Sequence, residues 1–323
     1  MGVGGGLLGG GMHAQLERWA GDLGFGGGGQ GPDEVRAMAA IFAGLAAGLM
    51  LAALPLERSA RSGQRWLPPA TKSMASKRWG EEFVAAYTPV WIAAIGTVIV
   101  LQLYERFRRW EYLAFGLVEA GPFLLIPLLR PGPPDRDLPW HQRYIVKANL
   151  WIGIFSFIGN YWYTHYFYRV LKADYTFDGH RLNDVPISMF LMTHAYFMTY
   201  HLLSNAVLRR IQTSFAPGRA RVAFQAAVVC VLSYTTAFME SLTICTFPYY
   251  RFENRFLAWT LGSAFYAIYF IVSFPMFYRL DESPRNKFTL WQTCIEALAA
   301  GMLVLCLLDF VRLAVGVELF APH

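Results

Sequence analysis

Charge is scarce in this chain: Asp, Glu, Lys and Arg make up 15% of its 323 residues, against 55% hydrophobic residues. A soluble domain carries about 25% charged residues, so water is not the only solvent this chain meets. Histidine is equally sparse. The seven present, His13, His141, His165, His180, His194, His201 and His323, form none of the dense clusters that membrane di-iron oxidases require. His194 and His201 lie seven apart without a third ligand nearby in sequence, which argues against a metal. There is no Walker A loop, no glycine fingerprint after a strand and no Gly-x-Ser-x-Gly elbow. Nucleotide-driven transport, nicotinamide chemistry and serine-nucleophile catalysis are therefore not indicated. No internal repeat is visible. The four cysteines, Cys230, Cys245, Cys294 and Cys306, all fall inside apolar runs, where they read as core thiols and are silent on redox compartment.

What the chain has instead is apolar length. Runs able to cross a hydrocarbon layer of about 30 Å recur near residues 87–104, 112–129, 148–170, 187–208, 222–247, 256–279 and 293–315. In lipid the backbone must satisfy itself, and runs without strict alternation do so as helices. The expected fold is an all-α, polytopic transmembrane bundle of seven core helices. Residues 1–36 are a Gly-rich tail, and 37–56 form an extra apolar helix, either a signal anchor or part of a targeting sequence. A basic linker over 57–78 precedes the bundle at 79–318, and 319–323 are a tail. The net charge of +6 sits in short connectors without a stripe of interleaved aromatics, so it does not point to nucleic acid. Lys and Arg are in excess before the first core span and in the second, fourth and sixth connectors, which predicts that this end faces the cytoplasm.

Polar residues inside the runs are costly in lipid and are candidates for function. Asn149, Ser156, Asn160 and Thr164 fall on one stripe at 100° per residue, with His165, Trp151, Tyr161, Trp162 and Tyr163 around it. In the fourth run His194, His201 and Asn205 share a face; in the fifth, Ser233, Thr236, Glu240 and Thr243 do. Most of these also have a structural reading. Asn and Thr bridge membrane helices, His201 can satisfy a carbonyl, Asp309 can pair with Arg312, and Glu296 sits near a span end where water reaches it. Glu240 is harder to explain this way, because it lies far from both ends of its run.

At these residues the chain resembles the cycloeucalenol cycloisomerase family, the cyclopropyl sterol isomerases of plants and algae. The matching stretches include SKRWGE (Ser76–Glu81), YTPVW (Tyr87–Trp91), RYIVKANLWI (Arg143–Ile152), GNYWYTHYF (Gly159–Phe167) and YTF (Tyr175–Phe177). Further ones are TH at Thr193 and His194, YHLLSN with LRR (Tyr200–Arg210), FPYY (Phe247–Tyr250) and FYAIYFIVSFPMF (Phe265–Phe277), with LD and RL pairs at Asp309 and Arg312. The resemblance covers about residues 76–316. Two positions depart from the family pattern: Glu119 stands where a small neutral residue is expected, and Glu296 where Asp is.

The resemblance implies opening of a 9β,19-cyclopropane ring in a membrane-embedded sterol, in the endoplasmic reticulum membrane and without a cofactor. Protonation of carbon 19 leaves positive charge at carbon 9, and a proton then leaves carbon 8. A carboxylic acid kept neutral by apolar surroundings suits the first step, and neutral imidazole the second. The expected catalytic residues are Glu240 with His194 and His165. Trp151, Tyr161, Trp162, Tyr266 and Tyr269 offer aromatic faces to the cation, and Asn160, Asn205, His201 and Asp309 offer polar contacts to the sterol. Two other classes stay open: a sterol ring double-bond isomerase, and a non-catalytic sterol-binding protein.

Overall fold

The computed structural model describes residues 32–59, 63–163, 173–246, 249–252 and 255–315. Among them are eight long helices: α1 (Pro32–Ala53), α2 (Ala75–Val100), α3 (Arg109–Leu129), α4 (Tyr144–Ile158), α5 (Ile187–Ser214), α6 (Arg219–Thr246), α7 (Ser263–Tyr278) and α8 (Leu290–Val315). Seven core helices and one N-terminal helix are the expected architecture. Among the described residues, six stretches are long and apolar enough to cross a membrane, α1 included. The α4 and α5 regions are not among these six. The described part of α4 is only fifteen residues long, and α5 carries His194, His201, Asn205, Arg209 and Arg210. Both are nevertheless central, for α5 packs against α3, α4 and α7, and α4 against α8. The chain is thus a multi-pass membrane protein whose least hydrophobic helix, α5, lies at the centre.

Helix α1 starts at Pro32, inside the segment read as a Gly-rich tail. Proline is favoured at a first helical position, and Glu34 in the first turn complements the helix dipole. Its inner face, including Met38, Ile41 and Phe42, packs on Phe238, Phe256 and Trp259. The basic linker is also tied down, with Arg58 bridging Phe215 and the Arg65 amide bonded to Thr213 Oγ1 at 3.0 Å. The thiols are less uniform than expected: Cys245 is buried, whereas Cys230 and Cys306 are exposed on outer helix faces.

Helix α4 does not end at Ile158 but widens into a π-helical turn, Gly159–Tyr163. One extra residue per turn rotates everything beyond it, which matters for the site. Two short antiparallel ladders cap that end of the bundle. β1 (Asp174–Tyr175) pairs with β4 (Tyr250–Arg251), and β2 (Arg181–Leu182) turns into β3 (Val185–Pro186) through Asn183 and Asp184 at φ 52° and 62°. Asn and Asp tolerate this left-handed backbone better than most residues.

At the opposite end, the Trp79 ring lies against Gly132, and a Cβ there would sit 2.1 to 2.4 Å from ring atoms. Trp79 is itself stacked on Phe83 at 5.7 Å and cannot retreat freely. Gly132→Ala should therefore cost about 1–3 kcal/mol, the usual range for overpacking. Thermal unfolding in detergent checks this, and an unchanged midpoint would show that the ring has another seat.

Candidate functional site

A cavity opens between α4, α5, α6 and α7 beneath the β1–β4 ladder. Its free interior is about 110 Å³, below the roughly 300–1,000 Å³ of sites that hold a drug-sized ligand, so a tetracyclic ligand requires the walls to move apart. Helical spacing builds its walls. Met189, Thr193 and Phe197 recur every four residues on α5, Glu240, Ser241 and Ile244 share a face of α6, and Tyr266 and Tyr269 are three apart on α7. Phe155, Gly159, Asn160 and Tyr163 enter from α4 and its π turn. Tyr175 and Tyr250 are directly paired in the antiparallel ladder, so their side chains share one face, and both line the cavity.

Among the described residues, Glu240 is the one carboxyl group in this lining. Tyr266 donates its hydroxyl to Glu240 Oε1 at 3.0 Å, while Oε2 is buried without a hydrogen-bond partner among the described residues. Much of the remaining surface is aromatic. Tyr163 and Tyr269 lie 4.6 Å apart between ring centroids, and Tyr266 stands edge-on to Tyr269 at 4.9 Å. Several hydroxyls are already engaged. Tyr163 donates to the Gly301 carbonyl, Tyr269 to the Tyr163 carbonyl at 3.3 Å, and Tyr250 faces Met189 Sδ at 3.6 Å. The rings are thereby held in place, so faces rather than mobile hydroxyls meet a ligand. Asn160 adds polarity, with its amide bonded to the Ser156 carbonyl at 2.9 Å and its Oδ1 receiving Thr193 at 3.4 Å.

Of the residues singled out in the sequence, Glu240, Asn160, Tyr266 and Tyr269 come together here. Among the described residues, the other proposed site residues do not line the cavity. His194 points its Nε2 to Asn149 Oδ1 at 2.9 Å, and the Asn149 amide donates to the carbonyls of Phe123 and Ile145. The oxygen of Asn149 must therefore accept, so Nε2 of His194 carries the proton and Nδ1 is the free acceptor. His201 is fully buried, its Nδ1 on the Phe197 carbonyl at 2.7 Å and its Nε2 on Ser273 Oγ at 2.9 Å. Rings of Trp151, Phe155, Phe197, Phe274 and Phe277 surround it. It is a packed core histidine, and Phe155 and Phe197 form both the roof of its cage and part of the cavity floor. Trp151 belongs to that cage. Tyr161 stacks on Phe157 at 5.7 Å, and Trp162 is exposed, so both face outward. Asn205 bonds Glu81 in a charged cluster described below, and Asp309 stands half-buried on α8 away from the lining. His165 lies outside the described residues. Glu119 is buried with both carboxyl oxygens unpartnered among the described residues, and does not reach the cavity.

Residues that the sequence reading passed over as site candidates include Tyr163, Tyr175, Met189, Thr193, Phe197 and Tyr250. A signal for four of them was available. Tyr163, Tyr175, Thr193 and Tyr250 sit in the GNYWYTHYF, YTF, TH and FPYY stretches, and the connector positions of Tyr175 and Tyr250 gave no reason to join those two until the ladder did.

The fold and this cavity define a class: a polytopic helical membrane protein with an aromatic-walled internal pocket containing an acid. No protein-family model matches the chain, and no solved structure does. Over 254 residues, 78% of this chain and 89% of the relative, it is 47% identical to the cycloeucalenol cycloisomerase of Arabidopsis thaliana. The chain belongs to the cycloeucalenol cycloisomerase family and is an isomerase.

Proposed function

We propose that this protein opens the 9β,19-cyclopropane ring of a cycloeucalenol-type sterol, giving an obtusifoliol-type product with an 8,9 double bond and a methyl group on carbon 10. Atoms balance without a redox partner. A proton adds to carbon 19, the bond between carbons 9 and 19 breaks, and the electron pair of the carbon 8–hydrogen bond closes the double bond as that proton leaves. The observation that carries this reading is Glu240, with one oxygen fixed by Tyr266 and the other unpartnered in an aromatic wall. A hydroxyl donating to Oε1 marks that oxygen as the carbonyl of the acid, so the transferable proton sits on Oε2. The faces of Tyr163, Tyr266 and Tyr269 stabilise the cation by their quadrupoles, and none is a strong enough nucleophile to trap it.

The base in this reading is the carboxylate left on Glu240, which regains a proton from carbon 8 and ends the cycle as the acid. His194 then serves a positioning role, because its Nε2 is committed to Asn149 and it stands off the cavity wall. The protein works in the endoplasmic reticulum membrane, a placement that fractionation of tagged protein tests.

The decisive assay uses enzyme equilibrated in heavy water, in excess over cycloeucalenol, with no nucleotide, metal or oxygen added. A single turnover should place one deuterium in the new methyl group. Unlabelled obtusifoliol would overturn the proton assignment, a shifted double bond with the cyclopropane intact would favour a different isomerase, and bound but unchanged sterol would favour a carrier.

A further inference from the structure

The end of the bundle away from Glu240 contains a second cavity that the isomerisation does not use. It is formed where the start of α2, the connector before α4 and the connector between α7 and α8 meet. Four lysines line it, Lys72, Lys77, Lys147 and Lys287, against two carboxylates, Asp137 and Asp281. The two buried lysines are matched: Lys147 pairs with Asp281, and Lys77 with Glu282 at 3.0 Å. The two exposed ones are not. Among the described residues, Lys287 Nζ reaches only Met74 Sδ at 3.3 Å and the Asp281 carbonyl at 3.0 Å, and Lys72 has no carboxylate within ion-pair distance. Lys287 is exposed as a residue but its ammonium end is partly buried, and that desolvation, opposed by Asp281 and reinforced by Lys77 and Lys147, holds it below its ordinary range. Ser73 and Gln142, also on the wall, add polar groups suited to anionic oxygens.

The surroundings of the mouth say where such an anion comes from. Trp291 on the lining and Trp140 beside the lining residue His141 are 73% and 55% exposed. Exposed tryptophan marks the level of lipid headgroups. From Trp291 onward α8 presents Ile295, Leu298 and Met302 outward, an apolar track for an acyl chain leading directly from the cationic mouth. This is also the end with the excess of Lys and Arg, predicted to face the cytoplasmic leaflet, where anionic lipids concentrate. We propose that this cavity binds the phosphate headgroup of one anionic phospholipid, with Lys72 and Lys287 as the phosphate-contacting residues and the acyl chains lying along α8.

The test uses the full-length protein purified in neutral detergent and offered equal amounts of phosphatidylinositol and phosphatidylcholine, with bound lipid read by native mass spectrometry. One phosphatidylinositol per protein should be retained, at least tenfold over phosphatidylcholine, and Lys72→Gln/Lys287→Gln should lower that retention at least tenfold. Both lysines are exposed, so the variant folds, which its unchanged sterol turnover would verify. Equal retention of the two lipids, or unchanged retention by the variant, overturns the proposal. So does a wild-type protein that keeps no lipid but is stabilised by inorganic phosphate, since the occupant would then be a soluble anion.

Discussion

Glu240→Gln should lower turnover of the cyclopropyl sterol by about 10²–10⁴-fold, the range expected for loss of a general acid, while sterol affinity changes little. The amide has nearly the shape of the carboxyl group. Its oxygen still accepts the Tyr266 hydroxyl that is now 3.0 Å from Oε1, so the wall keeps its form. What disappears is the proton on the second oxygen. Tyr266→Phe separates this from a structural effect: it leaves the acid in place, removes the bond that orients it, and should reduce turnover by less than Glu240→Gln does. Sterol binding and single-turnover rates measured on both variants decide the matter. If Glu240→Gln retains more than a tenth of the wild-type rate, another group delivers the proton, and His165 becomes the first to examine.

The architecture was legible because lipid imposes length: seven apolar runs and a preceding apolar stretch correspond to eight helices, with edges moved by several residues. Glu240 was legible for the same reason, since a carboxyl group deep in a span needs an explanation. The stripe on α4 was less so. Reading Asn149 through Thr164 at 100° per residue assumes one helix geometry, but the π turn at Gly159–Tyr163 changes the phase. Asn160 and Tyr163 consequently turn into the cavity, while Tyr161 and Trp162 turn away. The shared face of His194, His201 and Asn205 misled in another way. Each meets a different neighbour, Asn149 on α4, Ser273 on α7 and Glu81 on α2, because three helices pack around α5 and no single compartment runs its length. Periodicity gives the direction of a side chain; it cannot give what another helix brings to meet it.

Least visible of all was a charged cluster that joins residues over two hundred positions apart. In the sequence Lys77, Arg209 and Glu282 look like connector charges. In the fold, Lys77, Glu81 and Arg209 are at most 2% exposed. Arg209 grips Glu81 with two bonds of 2.9 Å, holds Glu282 at 2.7 and 2.8 Å, and donates to the Trp66 carbonyl at 2.8 Å. Lys77 adds a 3.0 Å pair with Glu282 and donates to the Leu280 carbonyl. Two positive and two negative groups cancel, so burial is tolerated as long as all four remain. Arg209→Met should therefore destabilise the protein by about 3–5 kcal/mol, because it leaves Glu81 charged and buried with only Lys77 and Asn205 nearby. Arg209→Lys should recover only part of this, since an ammonium cannot make the paired contacts of the guanidinium fork. The cluster also has a pH signature. Burial alone would raise the Glu282 carboxyl, but Arg209 and Lys77 hold it below its ordinary value. A depressed carboxylate contributes stability that is full above its unfolded pKa and is lost as pH falls through the folded one. Unfolding in detergent should thus show wild-type stability declining below about pH 4.3, the ordinary Glu value. In Arg209→Met that acid-side slope should be shallower, because the guanidinium no longer holds Glu282 down. Equal slopes would assign the acid sensitivity to other carboxylates, and a loss below 1 kcal/mol would mean that water reaches Glu81 once Arg209 is gone.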